Sequence, residues 1–261
     1  MITLPAILRL TRLGTSLLGF LAVFIPLLAR NHDLSLSFRR AVPLLLIAVC
    51  TFITNDLDDI ERDRINHPDR PLPAGHFSPA FAATLYFTFL GLALFSTKYN
   101  IPRGIDFLYY ASLSLSISYG YIVEYLPILK VPYVAIGATV PIFIVAAFYP
   151  NEPRIYIIAG SIFSLTLGRE ICKDIRDRIG DPVSFMHRFP PIPLAKIAFS
   201  LQMIGMLLLA ILISKTGDVI DWLAMLFLLV LSGVYWFKFE NYKLALIFMK
   251  IQLFVGLYFL I

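Results

Sequence analysis

Nine apolar runs joined by polar loops constrain this chain before any other feature: Leu13–Ala29, Ala41–Thr54, Pro79–Ser96, Ile105–Tyr121, Val131–Phe148, Ile155–Leu167, Ala195–Ser214, Val219–Phe237 and Leu244–Ile261. In hydrocarbon every backbone N–H and C=O must find its partner within the segment, so such runs read as membrane-spanning helices. Composition agrees: 59% of the 261 residues are hydrophobic and 15% charged, where a soluble domain carries about a quarter. The expected fold is an all-α integral membrane protein with nine transmembrane helices, and residues 1–261 form one transmembrane domain. The first run follows Arg9 and Arg12 with no small-residue cleavage site, so it reads as a retained helix rather than a signal peptide.

The second and sixth runs are short, at 14 and 13 residues, against the roughly 20 a span needs. Each reaches spanning length only if its helix continues into the polar text that follows. That text is acidic in both places. Asp56, Asp59 and Asp63 follow the second run, and the same spacing returns 118 residues later as Asp174, Asp177 and Asp181. Positions i, i+3 and i+7 share one helix face, so each triplet predicts a stripe of carboxylates near membrane depth.

The offset extends beyond the acids. Arg70 maps onto Arg188, and proline-rich text follows each, from Pro71 and from Pro190. The chain therefore reads as two related four-helix units plus a ninth helix around a central cavity, each unit supplying one acidic helix and one Arg/Pro loop. A chance acidic cluster on a solvated face does not account for agreement at four positions. Two carboxylate stripes facing a low-dielectric cavity repel unless cations sit between them. Mg²⁺ suits all-oxygen sites and binds through a few carboxylates and substrate phosphate oxygens. With metal and nearby Arg or Lys on it, a diphosphate becomes a good leaving group. An apolar bundle then houses a hydrocarbon tail, and the combination describes ionisation of a prenyl diphosphate inside a bilayer.

Other residues narrow the reading. Asp58 and Glu61 lie off the first stripe and read as solvated, or paired with Arg62 and Arg64. Glu170 shares the face of Asp174 and extends its acidic surface, and Lys173 stands beside it. Cys50 and Cys172 form neither a zinc set nor a disulfide framework, and His32, His67, His76 and His187 show no metal spacing. There is no phosphate-binding glycine loop of the nucleotide type, and nothing implies nucleic acid or a protein partner. Lys and Arg concentrate on the side of the N-terminus and both Asp motifs, which places that side of the cell-membrane protein in the cytoplasm.

These residues resemble the UbiA superfamily of intramembrane prenyltransferases. Asn55, Asp56, Asp59 and Asp63 match its first motif, N-D-x-x-D-x-x-x-D, and Asp69-Arg70-Pro71-Leu72-Pro73-Ala74-Gly75 is similar to its D-R-P-L-P-x-G loop. Arg169-Glu170, Lys173-Asp174, Asp177 and Asp181 look like its second motif, closest to the digeranylgeranylglyceryl phosphate synthase branch. Tyr125 and Leu129-Lys130 resemble its Tyr-x-x-x-Leu-Lys loop. The resemblance implies that Asn55, Asp59, Asp63, Asp177 and Asp181 bind Mg²⁺-diphosphate, with Asp56 and Asp174 supporting them as metal-site residues. It further implies that Arg70 and Lys130 contact the diphosphate, with Arg12 either another contact or a topological anchor; Arg188 is a candidate contact as the repeat of Arg70. Tyr125 either belongs to the aromatic interface belt or faces the allylic cation. After Lys130 the chain lacks the Gly-Asn pair common in relatives, and after Asp181 it lacks Lys-Thr-Leu-Pro; both departures bear on the acceptor and the chain length.

The function these features imply is Mg²⁺-dependent transfer of an isoprenoid from a prenyl diphosphate donor to a lipophilic acceptor, foremost geranylgeranyl to geranylgeranylglyceryl phosphate in ether-lipid synthesis. Transfer to an aromatic quinone precursor and membrane terpene cyclisation share the same ionisation. A lipid or isoprenoid transporter is the reading from another class, since repeats with midplane acids also occur there.

Overall fold

The structure is a computed structural model, and it describes residues 4–178, 188–216, 226–227, 229–231, 233 and 242–258. Helix is the only regular secondary structure among these residues, and they divide into two compact units, residues 4–126 and the described residues from 127 on.

The first unit contains α1 (Leu4–Leu10), α2 (Leu13–Asn31), α3 (Leu34–Asp58), α4 (Ile60–Asn66), α5 (Pro79–Asn100) and α6 (Asp106–Tyr125). Its axis is α3, which packs against α2, α5 and α6. Local chemistry sets the helix starts. The Asp33 carboxylate accepts from the Leu36 N–H at 2.8 Å, and the Ser78 hydroxyl accepts from the Phe81 N–H at 3.2 Å ahead of Pro79, both common N-caps. A buried cluster of Leu10, Val49, Cys50, Ile53, Leu72, Phe77, Ala82 and Tyr86 ties α1, α3 and α5 to the loop before α5. That loop is wound tightly on itself: Ala74 N–H donates to Arg70 O at 2.9 Å and His76 N–H to Pro71 O at 2.9 Å. Gly75 supplies the left-handed residue the turn needs, at φ 73°. Anchored by Leu72 and Phe77, the loop holds Arg70 in one place.

The second unit contains a 3₁₀ turn (Pro127–Leu129), α7 (Lys130–Phe148), α8 (Pro153–Arg176), α9 (Pro191–Thr216) and α10 (Tyr242–Tyr258). Here α8 is the axis, against α7, α9 and α10. Its seam with α9 is close and polar. Ser161 Oγ donates to Gly205 O at 2.7 Å, Ser164 Oγ to Leu201 O at 2.8 Å, and Gln202 Nε2 to Leu165 O at 2.8 Å. Gly168 and Gly205 let the backbones approach, the pattern of small residues and polar side chains found between membrane helices.

Among the described residues six helices are long and apolar enough to cross a membrane: Leu13–Asn31, Leu34–Asp58, Pro79–Asn100, Pro127–Phe148, Pro153–Arg176 and Pro191–Leu212. The protein is an integral membrane protein. The expected nine spans are not reproduced as a count. Ile105–Tyr121 is helical from Asp106 on, within α6, but more polar, the last run is described only as the 17-residue α10, and most of Val219–Phe237 lies outside the described residues. The two short runs do continue as helix: α3 reaches Asp58 and α8 reaches Arg176.

Candidate active site

In the first unit the three acids do not lie on one continuous helix, which corrects the uninterrupted stripe expected from spacing. α3 ends at Asp58, and Asp59 takes φ −98° and ψ 9° between α3 and α4. Its N–H still bonds Asn55 O at 3.0 Å, and Asp59 O accepts from Asp63 N–H at 2.8 Å, so the chain is kinked rather than released. Asp63 therefore projects from a second helix. Spacing alone cannot foresee this, because no Gly or Pro marks the break.

Each acid has a basic partner. Arg12 bonds Asp56, Arg70 bonds Asp63 and stands 3.8 Å from Asp56, and Arg62 bonds Asp59 at 2.7 Å. Asp56 and Asp63 are buried, so these guanidinium groups are their counter-ions in a low-dielectric setting. Burial pushes the Asp63 carboxyl above its ordinary range, and the adjacent Arg70 opposes this without cancelling it. Arg64 instead holds Glu61 at 2.8 Å in the open, a surface pair of little energetic weight. Asp58 is exposed and leans over Gly120 of α6, where a Cβ would overlap its carboxylate.

Arg12 is placed by backbone strain. It sits between α1 and α2 at φ 41° and ψ 46°, a left-handed conformation that costs a non-glycine residue about 1–2 kcal/mol. The turn carries its guanidinium onto Asp56, with the Phe52 ring 5.1 Å away. A cavity of about 220 Å³ opens here, lined by Arg9, Arg12, Asp56, Asp69, Arg70 and Pro71. Three guanidinium groups and two carboxylates thus line one opening, a set with the donors to bind an anion. Arg9 and Asp69 were not singled out from the sequence; Arg9 stands three residues before Arg12, a helical spacing that could have drawn attention to it.

In the second unit Asp174 is buried, and Lys130 donates to it from 2.9 Å. Asp177 follows the end of α8 at φ −87° and ψ 12°, with its N–H on Lys173 O at 2.9 Å. Arg176 grips it with two bonds of 2.6 and 2.7 Å. Glu170 is buried and engaged by Arg169 and by Lys173 at 3.5 Å. Arg188 is exposed. Asp181 and His187 lie outside the described residues. Tyr125 belongs to the first unit, is 61% exposed and packs on Tyr121 with ring centroids 4.6 Å apart.

The two units repeat one local arrangement. α3 ends just before Asp59 and α8 just before Asp177, and the basic partners of Asp56 and Asp174 are Arg12 and Lys130; every pair is separated by the same 118 residues. Arg12 and Lys130 are thus related by the same offset as the acids they hold.

Among the described residues no three His, Cys, Asp or Glu side chains are grouped as a ready metal site. Two oxygen atoms nevertheless suit a hard cation: Asn55 Oδ1 and Asp56 Oδ2 are buried and have no hydrogen-bond partner. Unsatisfied buried oxygens of this kind are costly unless something occupies them. The donor set of Asn55, Asp56, Asp59 and Asp63 is all-oxygen, which fits Mg²⁺.

Residues 10–256 match the model of the UbiA prenyltransferase family. The chain is 30% identical over 197 residues to a digeranylgeranylglyceryl phosphate synthase of Methanoculleus marisnigri, covering 73% of this chain and 69% of that protein. Proteins of the same name from Saccharolobus solfataricus and Metallosphaera sedula are 31% and 33% identical over 151 and 139 residues. Those two matches span 50% and 45% of the relatives' own length. A solved structure described as digeranylgeranylglyceryl phosphate synthase in membranes superposes with a TM-score of 0.69, at 20% identity, over 99% of this chain and 97% of the other. That likeness shows the fold.

Proposed function

Since the chain belongs to the UbiA prenyltransferase family, we propose that it transfers a geranylgeranyl group from its diphosphate to geranylgeranylglyceryl phosphate, in an Mg²⁺-dependent reaction at the cytoplasmic side of the membrane. Prenyltransferase activity implies a prenyl diphosphate donor and a lipophilic acceptor. The names of the relatives support the choice of acceptor, and the Lys/Arg bias of the loops supports the orientation. The finer topology proposed with it is nine spans, as two related four-helix units and a ninth helix.

The observation that carries the reading is the arginine-lined cavity over Asp56, with the unpartnered oxygens of Asn55 and Asp56. Cationic side chains and free oxygen donors lie together there, as a metal–diphosphate pair requires. Asn55, Asp56, Asp59 and Asp63 of the first Asp motif would hold Mg²⁺, as would Asp174, Asp177 and Asp181 of the second. Bound Mg²⁺ neutralises the diphosphate and stabilises it as a leaving group. Arg9, Arg12 and Arg70 bind its oxygens, Arg12 and Arg70 exchanging carboxylate partners for phosphate ones. Lys130 does the same from Asp174. The Arg70 loop, stiffened by Pro71 and Pro73, covers the head group and limits water at the allylic carbon.

The test is turnover by the purified protein in lipid with geranylgeranyl diphosphate and a panel of acceptors, products being identified by mass spectrometry. Metal-dependent formation of digeranylgeranylglyceryl phosphate is the expected result. A prenylated aromatic ring, or a cyclised hydrocarbon released without acceptor, would replace this reading. Binding without diphosphate release would indicate a transporter.

A further inference from the structure

The two units match at Arg12/Lys130, Asp56/Asp174 and Asp59/Asp177, and differ in the two turns before the second Asp motif. In α8 the residues Thr166, Arg169, Glu170, Lys173, Asp174 and Asp177 stand at i, i+3, i+4, i+7, i+8 and i+11. That is one continuous polar stripe, about three turns long. The 118-residue offset places Ala48, Thr51 and Phe52 of α3 at the positions of Thr166, Arg169 and Glu170. The first unit has no charge there; the second has two.

This stripe is built for an anion. Lys130, Arg169 and Lys173 face Glu170 and Asp174, which leaves one positive charge in excess among these five groups. Glu170 and Asp174 are each 3% exposed and Lys130 is 8% exposed. Two polar atoms of the stripe are buried without a hydrogen-bond partner, Arg169 Nε and Thr166 Oγ1. Thr166 is itself 3% exposed. Arg169 Nε can only donate and the Thr166 hydroxyl can donate as well, so an acceptor-rich anion would satisfy both. Glu170 fixes the Arg169 and Lys173 side chains without exhausting their donors, since the first has four further N–H groups and the second three in all.

We propose that Thr166, Arg169 and Lys173 receive the phosphomonoester of the prenyl acceptor, making this stretch of α8 the determinant of acceptor class. The inference rests on the proposed phosphorylated acceptor and extends it to named residues. The acids of the Asp motifs serve the donor diphosphate. A second phosphorylated substrate needs its own cation-rich site, and the stripe supplies one about 8 residues, or roughly 12 Å, from Asp174 at its far end.

The experiment compares geranylgeranylglyceryl phosphate with dephosphorylated geranylgeranylglycerol as acceptors, and uses soluble glycerol phosphate as a competing head group. Wild type favours the phosphorylated acceptor and is inhibited by glycerol phosphate. Arg169→Gln raises KM for the phosphorylated acceptor roughly ten- to hundredfold, leaves KM for geranylgeranyl diphosphate near its wild-type value, and removes glycerol phosphate inhibition. Thr166→Val and Arg169→Lys keep the buried charge balance and give smaller shifts in the same direction; they carry the test if the glutamine variant fails to fold. Wild type that uses both acceptors equally overturns this inference and the acceptor reading together. Wild type that discriminates, with variants that still discriminate or that lose donor affinity in parallel, overturns this inference alone.

Discussion

Replacing Lys130 by Met tests whether the buried counter-ion pairs hold the site together as well as serve the ligand. Lys130 Nζ lies 2.9 Å from Asp174 Oδ1, with side-chain exposures of 11% and 3%. At that distance and an effective dielectric of about 20, the Coulomb attraction is about 6 kcal/mol. Desolvation of both ions offsets much of it, so the pair itself adds little net stability. Removing one partner is different, because the Asp174 charge stays buried. Lys130→Met should cost about 3–5 kcal/mol on that ground. Asp174→Asn added to Lys130→Met removes the stranded charge and should restore most of the loss, a coupling read from a double-mutant cycle. Arg12→Met should cost less, since the Arg12 side chain is 25% exposed and water can relax around Asp56. The assay is reversible unfolding in mixed micelles, followed by far-UV circular dichroism. Turnover separates the two roles: it should collapse in both Lys130→Met and the double variant, because neither can meet the diphosphate. A Lys130→Met protein within about 1 kcal/mol of wild type would refute the reasoning, as would a double variant no more stable than the single one.

Asp59→Ala and Asp177→Ala should each abolish turnover at saturating Mg²⁺ while leaving a folded protein, since both acids belong to the proposed metal–diphosphate set; near-normal rates in either would exclude that role. Arg70→Ala should weaken diphosphate binding by about 1.5–3 kcal/mol, whereas Arg64→Ala, whose partner Glu61 is exposed, should change it little; equal effects in a competition assay would mean the Pro-fixed loop only anchors the chain. Burial raises the Asp63 carboxyl above its unfolded value, so its ionised form disfavours the native state and stability is regained as pH falls through that raised value. Asp63→Asn should accordingly melt higher than wild type at neutral pH, and the gap should close in acid; a gap that widens in acid would contradict the sign. Gly168→Ala should destabilise by about 1–3 kcal/mol, because its Cβ would lie 2.6 Å from the Ala198 carbonyl oxygen, while Gly160→Ala, which meets only a Leu208 methyl at 3.4 Å, should be tolerated in the same melt.

What the sequence determined by itself was whatever depends on spacing along the chain. Apolar run length specified membrane helices, and the two short runs required α3 and α8 to continue toward Asp56 and Asp174, as they do. The 118-residue offset picked out the paired acids, because a helix face is set by residue number alone. The charge pairing was within reach of the same offset, since Arg12 and Lys130 are separated by it. Only the tertiary structure decided the rest. Arg12 reaches Asp56, and Lys130 reaches Asp174, across 44 residues in each case, and such contacts depend on which helices pack together. The left-handed turn at Arg12 and the helix ends just before Asp59 and Asp177 carry no Gly or Pro signal. Local propensity favours none of them, and they persist because the buried carboxylates and the packed core around them settle the backbone conformation.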